Sequence, residues 1–141
     1  MFTDADVIYT YTRKQAIADG VLVDCMNGFV HPGTILRKLT MQHFTWPAVM
    51  TMTLYELLNR LVEDKRNCND WRGVWHDVCW MLKCKMKRTP GYDKPRALPY
   101  DVLFELEITT EGKQQLYTLK ANFGFDDEAK PCLTFMLPGE D

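Results

Sequence analysis

The sequence predicts an α+β domain in which two to three helices cover a small antiparallel sheet of three to four strands. Helix caps and helical spacing recur before a break at residues 89–99, and period-2 alternation follows it. A run of helices followed by a run of strands is typical of α+β domains. A chain of 141 residues can bury a core without metals or disulfides, so we expect a single domain over residues 1–141.

Composition and charge exclude several classes of protein. The chain is 46% hydrophobic and 26% charged, as in ordinary globular domains, and its net charge of −2 gives no overall positive field for nucleic acid. No apolar run approaches the ~20 residues that span a bilayer, and the acidic start of the sequence lacks the layout of a signal peptide. The five cysteines are scattered and include no C-x-x-C pair, which indicates reduced thiols. We therefore expect a cytoplasmic protein that does not contact a membrane.

The first predicted element is a short helix. Thr12 and Gln15 form a T-x-x-Q capping box, and Gly20 suits the left-handed position that ends a helix. The apolar run at residues 21–23 then predicts a short strand over residues 21–25. Within it Asp24 needs a partner or water, because a carboxylate is costly to bury alone.

Residues 26–46 are the hardest to interpret, since two turn signals at 27–28 and 32–33 are followed only by a short helical phrase, TILRKL. A clearer helix comes next, for which Thr53 and Glu56 supply a second capping box. Its apolar stripe has helical spacing and consists of Leu54, Leu57, Leu58, Leu61 and Val62.

The following helix, WRGVWHDVCWMLKCKMK, has Asp70 as its N-cap and is apolar on two sides. Trp80 lies nearly opposite the main apolar face, flanked by His76 and Cys84. Such a second face is either buried within the domain, the interpretation that we favour, or open to a partner. The main face comprises Trp71, Val74, Trp75, Val78 and Leu82.

Beyond the break, alternation predicts an antiparallel meander. In YDVLFELEIT the apolar residues recur at every second position, and a tight turn at residues 110–113 leads into a second alternating run, QQLYTLKANF. The phrase CLTFMLP gives a third strand. The acidic loop at residues 126–128 is interpreted as a solvated turn, because it lacks the ligand spacing of an EF-hand.

Catalytic signals are weak. The sequence contains no hydrolase, phosphate-loop, zinc-protease or dinucleotide motif, and it has no serine. His76 and Cys79 have the residue types of nucleophilic catalysis, but no third group is placed to orient them. Cys84 falls on another side of the same helix, so a zinc site with these two residues is disfavoured. We expect no catalytic residues, no metal and no cofactor.

The segment at residues 83–96 carries six cations against one carboxylate, Asp93, and includes Tyr92. A basic loop with an aromatic side chain can hold a phosphate, a nucleotide or an acidic protein surface. It can equally be a solvated loop that follows the cationic last turn of a helix, and this simpler interpretation is favoured. The residues that we select as binding candidates are Lys85, Lys87, Arg88, Tyr92, Lys94, Arg96, Trp80, Arg13 and Asp24.

Three phrases carry a family resemblance. YTRKQAIADGVLVD at residues 11–24 closely resembles the opening signature of a small family of domains of unknown function found in phages, plasmids and bacterial genomes. VWHDVCWML at 74–82 is similar to its Trp-rich second helix, and LTFMLPGED at 133–141 to its terminal strand and acidic tail. The resemblance implies a mobile-element setting, in which small accessory proteins often bind and block host machinery. It implies no particular activity.

These observations lead to two functional expectations. The first is a non-enzymatic accessory binding protein of phage or plasmid type, a counter-defence inhibitor in the cytoplasm of a bacterial host. It would act on a host protein or protein–nucleic acid complex through Trp80 and residues 83–96. The second is a protein that sequesters a nucleotide or another small anionic molecule, with Arg13 and the basic loop holding the phosphates. A homodimer through the Trp80 face also stays open.

Overall fold

A five-stranded sheet with helices on both faces organises residues 12–26 and 33–140, the part of the chain that this computed structural model describes. The α+β class predicted above is confirmed. In chain order the elements are α1 (Arg13–Ala18), β1 (Leu22–Asp24), α2 (Gly33–His43), β2 (Ala48–Thr51), α3 (Met52–Glu63), α4 (Trp71–Arg88), β3 (Tyr100–Thr110), β4 (Lys113–Phe125) and β5 (Pro131–Met136).

The strand order across the sheet is β1-β2-β5-β4-β3. The last three strands form the predicted antiparallel meander, and β1 pairs antiparallel with β2. β2 pairs parallel with β5, so the sheet is mixed and has five strands rather than three to four. The strand that the sequence did not predict, β2, is four residues long and buried at the first three. It therefore shows no alternation of apolar and polar residues.

The hydrophobic core lies between one face of the sheet, here called the front face, and the helices α2, α3 and α4. The main apolar face of α4 is buried as predicted, together with Cys79. At the centre of the core the Trp75 ring packs edge-on against Phe135, with 4.9 Å between centroids. The Trp75 indole N–H donates to the Thr40 hydroxyl of α2 at 2.9 Å, so this buried polar group has a partner.

The local signals around α1 are confirmed. The Thr12 hydroxyl accepts from the Gln15 N–H at 3.0 Å, and the Gln15 side chain accepts from the Thr12 N–H at 3.0 Å. Gly20 ends the helix with φ +78° and donates its N–H to the Ile17 carbonyl. β1 follows within the predicted range.

Two predictions about the middle of the chain need correction. The capping box at Thr53 and Glu56 is wrong, because α3 begins at Met52 and its N-cap is Thr51, whose hydroxyl accepts from the Leu54 N–H at 3.3 Å. β2 runs directly into α3, so the last residue of the strand also caps the helix. α2 extends through Gly33–His43, well beyond the phrase TILRKL. The turn signal at 27–28 and the start of the one at 32–33 lie outside the described residues.

Candidate binding site

A trough runs along the sheet edge formed by β3, with residues of α4 in one of its walls. It consists of three adjoining depressions of about 70, 1030 and 200 Å³, which follow the strand from its start to its end. The first and second share Thr89 and Pro90 in their walls, and the second and third share Asp77 and Glu107. The central depression matches the upper end of the roughly 300–1,000 Å³ range of small-ligand pockets. Its continuation in both directions along a strand suits an extended chain better than a compact ligand.

The trough is charged differently at its two ends. Near the start of β3 its walls carry Lys85 and Arg88 from α4, and Arg96 lines the first depression. Towards the end of β3 the wall residues are acidic, namely Asp77, Glu105 and Glu107. All six side chains belong to exposed residues. A partner that spans the trough therefore meets both signs of charge, and the attraction depends on salt concentration.

Apolar side chains lie among these charges. Leu103 of β3 and Leu116 of β4 line the central depression and are 52% and 59% exposed. Met81, half-buried on α4, also lines this depression. Apolar side chains within a charged rim are typical of protein contact surfaces.

β3 is an open sheet edge along this trough. Within the described ranges it pairs only with β4. The turn between the two strands consists of Glu111 and Gly112, both with positive φ (53° and 78°), which is the type I′ geometry of a two-residue hairpin. In such a hairpin the flanking pair, Thr110 with Lys113, is hydrogen-bonded.

The alternation of an antiparallel ladder then decides where the backbone of β3 points. Even-numbered residues bond to β4, and the N–H and C=O groups of Leu103, Glu105 and Glu107 face outwards. The Thr109 carbonyl follows the same alternation and accepts from the Asn69 side chain at 3.0 Å. Asn69 therefore covers one end of the edge, and the groups from Leu103 to Glu107 face the trough.

The basic segment at residues 83–96 lies at the cationic end of the trough. Lys85, Lys87 and Arg88 occupy the last turn of α4, where cations complement the helix dipole. The Arg96 guanidinium lies over the Tyr100 ring, 4.1 Å from its centroid. The structure thus brings Lys85, Arg88, Tyr92 and Arg96 to the walls of the trough, whereas Lys87 and Lys94 are exposed and line none of the three depressions.

Trp80 is not buried, so the interpretation favoured from the sequence is wrong. Its side chain is 45% exposed. It stacks on His76 with 6.3 Å between ring centroids and contacts His43 of α2 edge-on at 6.2 Å. Trp80 lies about 100° around the helix from Met81 and lines none of the three depressions. It forms a separate exposed patch on the side of α4 that faces α2.

Arg13 and Asp24 lie apart from the basic segment. The Arg13 guanidinium donates to the Thr134 hydroxyl at 2.6 Å and to the Leu133 carbonyl at 2.9 Å. Thr134 points to the back face of the sheet, opposite the core, so α1 lies on that face. Asp24 ends β1, at the opposite edge of the sheet from β3, roughly 19 Å away at about 4.8 Å per strand. Its carboxylate accepts the Met26 N–H at 2.8 Å.

The acidic loop at residues 126–128 faces solvent and also accepts hydrogen bonds from the start of α1. The Asp127 carboxylate accepts the N–H groups of Arg13 and Lys14 at 2.8 and 2.9 Å, at the positive end of the helix. The Asp126 carboxylate accepts from Glu128 and Lys130 within its own loop. The N–H of Lys130 is the main cause of the lowered pKa of Asp126.

The residues considered for catalysis do not form a reactive pair. Cys79 is fully buried, and this burial raises the pKa of its thiol far above the usual value. A thiol that stays protonated at neutral pH is a poor nucleophile. His76 is exposed. Among residues 12–26 and 33–140, no group of three or more His, Cys, Asp or Glu side chains is placed to hold a metal ion.

Comparison with family models, with curated proteins and with solved structures finds no match for this chain. The resemblance of residues 11–24, 74–82 and 133–141 to a mobile-element family stays a prediction. In the described part of the chain, no helix combines the length and apolar character needed to cross a bilayer. The geometry of the trough is therefore the main guide to function.

The sequence did not predict the acidic and apolar residues that the structure brings to the trough, namely Asp77, Met81, Leu103, Glu105, Glu107 and Leu116. One signal was available, because Leu103 is the apolar exception among the polar positions of an alternating strand. The other trough residues carried no such signal, because which strand lies at the edge depends on the order of strands across the sheet. That order involves β2, which the pattern did not reveal.

Proposed function

We propose that this protein is a non-enzymatic binding protein that contacts a partner protein through the trough along β3 and the basic segment at its cationic end. The observation that carries the proposal is the open edge of an eleven-residue strand beside walls of both charge signs and exposed apolar side chains. Unpaired backbone groups at a sheet edge are a template for another chain. The Trp80 patch is a second candidate contact.

Two observations support a particular cellular compartment and a particular type of partner. All five cysteines are free thiols, which favours a reducing compartment such as the bacterial cytoplasm. The resemblance to a family of phages and plasmids favours a host protein, alone or in a complex with nucleic acid, as the partner. Inhibition of a host defence complex is the role that we propose for the interaction.

The alternative, sequestration of a nucleotide or another small anion, has less support from the geometry. The depression lined by Arg96 and Tyr92 measures about 70 Å³, far below the roughly 300 Å³ of small ligand pockets. The larger depression sets three carboxylates against two cations, an unfavourable balance for an anion. Arg13 lies on the other face of the sheet from this loop.

Site-specific photo-crosslinking in a bacterial host tests the proposal. We expect a crosslinking amino acid at Leu103 or Tyr92 to capture a discrete protein adduct, and the same group at Glu56, an exposed position on α3, to capture none. Equal adducts at all three positions would contradict a specific site. Titration with inorganic phosphate and with a nucleoside triphosphate tests the alternative, which requires saturable binding that R96A removes.

A further inference from the structure

We infer that the trough binds its partner by strand addition, and that the occupant is an extended peptide segment with Lys or Arg at alternate positions. This inference rests on the proposed function and specifies its binding mode. In strand addition, backbone hydrogen bonds supply affinity and alternate side chains supply specificity.

The backbone of β3 is suited to a further strand. The outward N–H and C=O groups of Leu103, Glu105 and Glu107 repeat at every second residue, the spacing that an antiparallel or parallel neighbour requires. The depressions beside the strand continue from Tyr100 to Thr109, which provides space along nearly its full length. The added segment would continue the sheet beyond β3, with one of its faces towards α4.

The side chains of β3 indicate which segment fits. Glu105 and Glu107 point to the back face, next to the position that a neighbouring strand would take. Opposite charges directly across two strands stabilise their pairing, and like charges oppose it. A segment with basic residues at alternate positions places them beside these carboxylates. Its remaining side chains then face α4, where Met81 offers an apolar contact.

The same carboxylates disfavour a second copy of this chain as the occupant. In an antiparallel pair of β3 strands, Asp101, Glu105 and Glu107 of one copy meet the same acidic row of the other. Charges on edge strands are a common means of preventing such self-association. A partner with complementary charge avoids this repulsion.

Three synthetic peptides test the inference. The first alternates Lys and Val over about nine residues, which at roughly 3.4 Å per residue spans most of the eleven-residue β3. The second has the same composition arranged as a block of Lys followed by a block of Val. The third alternates Glu and Val. We expect the first to bind by fluorescence anisotropy, the second roughly tenfold more weakly, and the third not measurably.

Amide hydrogen exchange identifies the binding mode. Strand addition slows exchange at Leu103, Glu105 and Glu107 when the first peptide is present. Phe104 and Leu106, whose amides already bond to β4, change little. Equal affinity for the alternating and block peptides, or unchanged exchange at the three outward amides, overturns the inference and indicates binding by net charge alone.

Charge reversal provides the matched variants. We expect E105K/E107K to lose the Lys–Val peptide and to bind the Glu–Val peptide, with an almost unchanged melting temperature because both residues are exposed. The control E56K/E63K changes net charge equally on α3 and should keep the original preference. A concentration-dependent dimer with slowed exchange at Leu103 and Glu107 would show a second copy as the occupant and overturn the inference. Crosslinking at Leu103 without peptide selectivity leaves the proposed function standing while this binding mode fails.

Discussion

Arg13 links α1 to β5 through its side chain and to the acidic loop at residues 126–128 through its backbone N–H. The guanidinium donates to Thr134 and Leu133 of β5, and the N–H donates to the Asp127 carboxylate at 2.8 Å. From the sequence, Arg13 was a candidate for holding phosphate, because nothing nearby in the chain explained its charge. Its partners lie more than a hundred residues away in sequence, so only the fold shows that this cation is structural.

Replacement of Arg13 by alanine tests that role. We expect R13A to lower the free energy of unfolding by about 2–3 kcal/mol, since hydrogen bonds from a charged donor contribute roughly 1.5–3 kcal/mol. Urea denaturation measures the change. The control is K14A, at an exposed neighbour, with an expected effect below about 0.5 kcal/mol. If R13A is no more destabilising than K14A, the structural assignment is wrong and a ligand role for Arg13 regains support.

Among the elements, those with local signals were predicted, whereas β2, which is defined by its pairing with distant strands, was not. The capping box of α1, the Asp70 cap of α4 and the two-residue turn after β3 all depend on residues within four positions of one another. β2 is held by β1 and β5, which lie before and far after it in the chain. The candidate site shows the same division, because the basic segment was found from sequence and its acidic counterpart on β3 was not.

The contact between α2 and α4 should depend on pH. Both ring nitrogens of His43 are buried without a hydrogen-bond partner in the described structure. Burial, followed by the proximity of His76 and Lys83, lowers the pKa of His43 below its usual value near 6.5. The folded state thus binds fewer protons than the unfolded chain, so stability is complete above that value and is lost as pH falls through the lowered folded pKa.

Urea denaturation between about pH 7.5 and 5.5, above the usual range of carboxylate titration, measures this dependence. We expect the free energy of unfolding to fall towards the acidic end in the unmodified protein and to change less in H43F, which has no titrating ring. An identical slope in both proteins would assign the dependence to another group.

On the scale of the whole molecule, two of the three phrases that resemble the mobile-element family are joined by hydrogen bonds in the fold. The phrase at residues 11–24 supplies α1 and β1, and the phrase at 133–141 supplies most of β5 and Glu140. Arg13 joins them directly, while the Glu140 carboxylate accepts from the Thr51 hydroxyl at 2.7 Å. These phrases are therefore accounted for by packing, and they identify a scaffold more readily than a binding site.

The central position of β5 has a consequence for how the protein forms during synthesis. Ala48 of β2 pairs with Leu133 of β5 across more than half of the sequence, and among the described strands β5 alone joins the β1–β2 pair to the β3–β4 hairpin. The two halves of the sheet cannot unite until β5 has left the ribosome, and long-range pairing of this kind is slow. We expect chains stalled with β5 inside the exit tunnel to be cut readily by protease and chains stalled after its emergence to resist. Resistance before β5 emerges would show that the helices and the hairpin form a stable core without it.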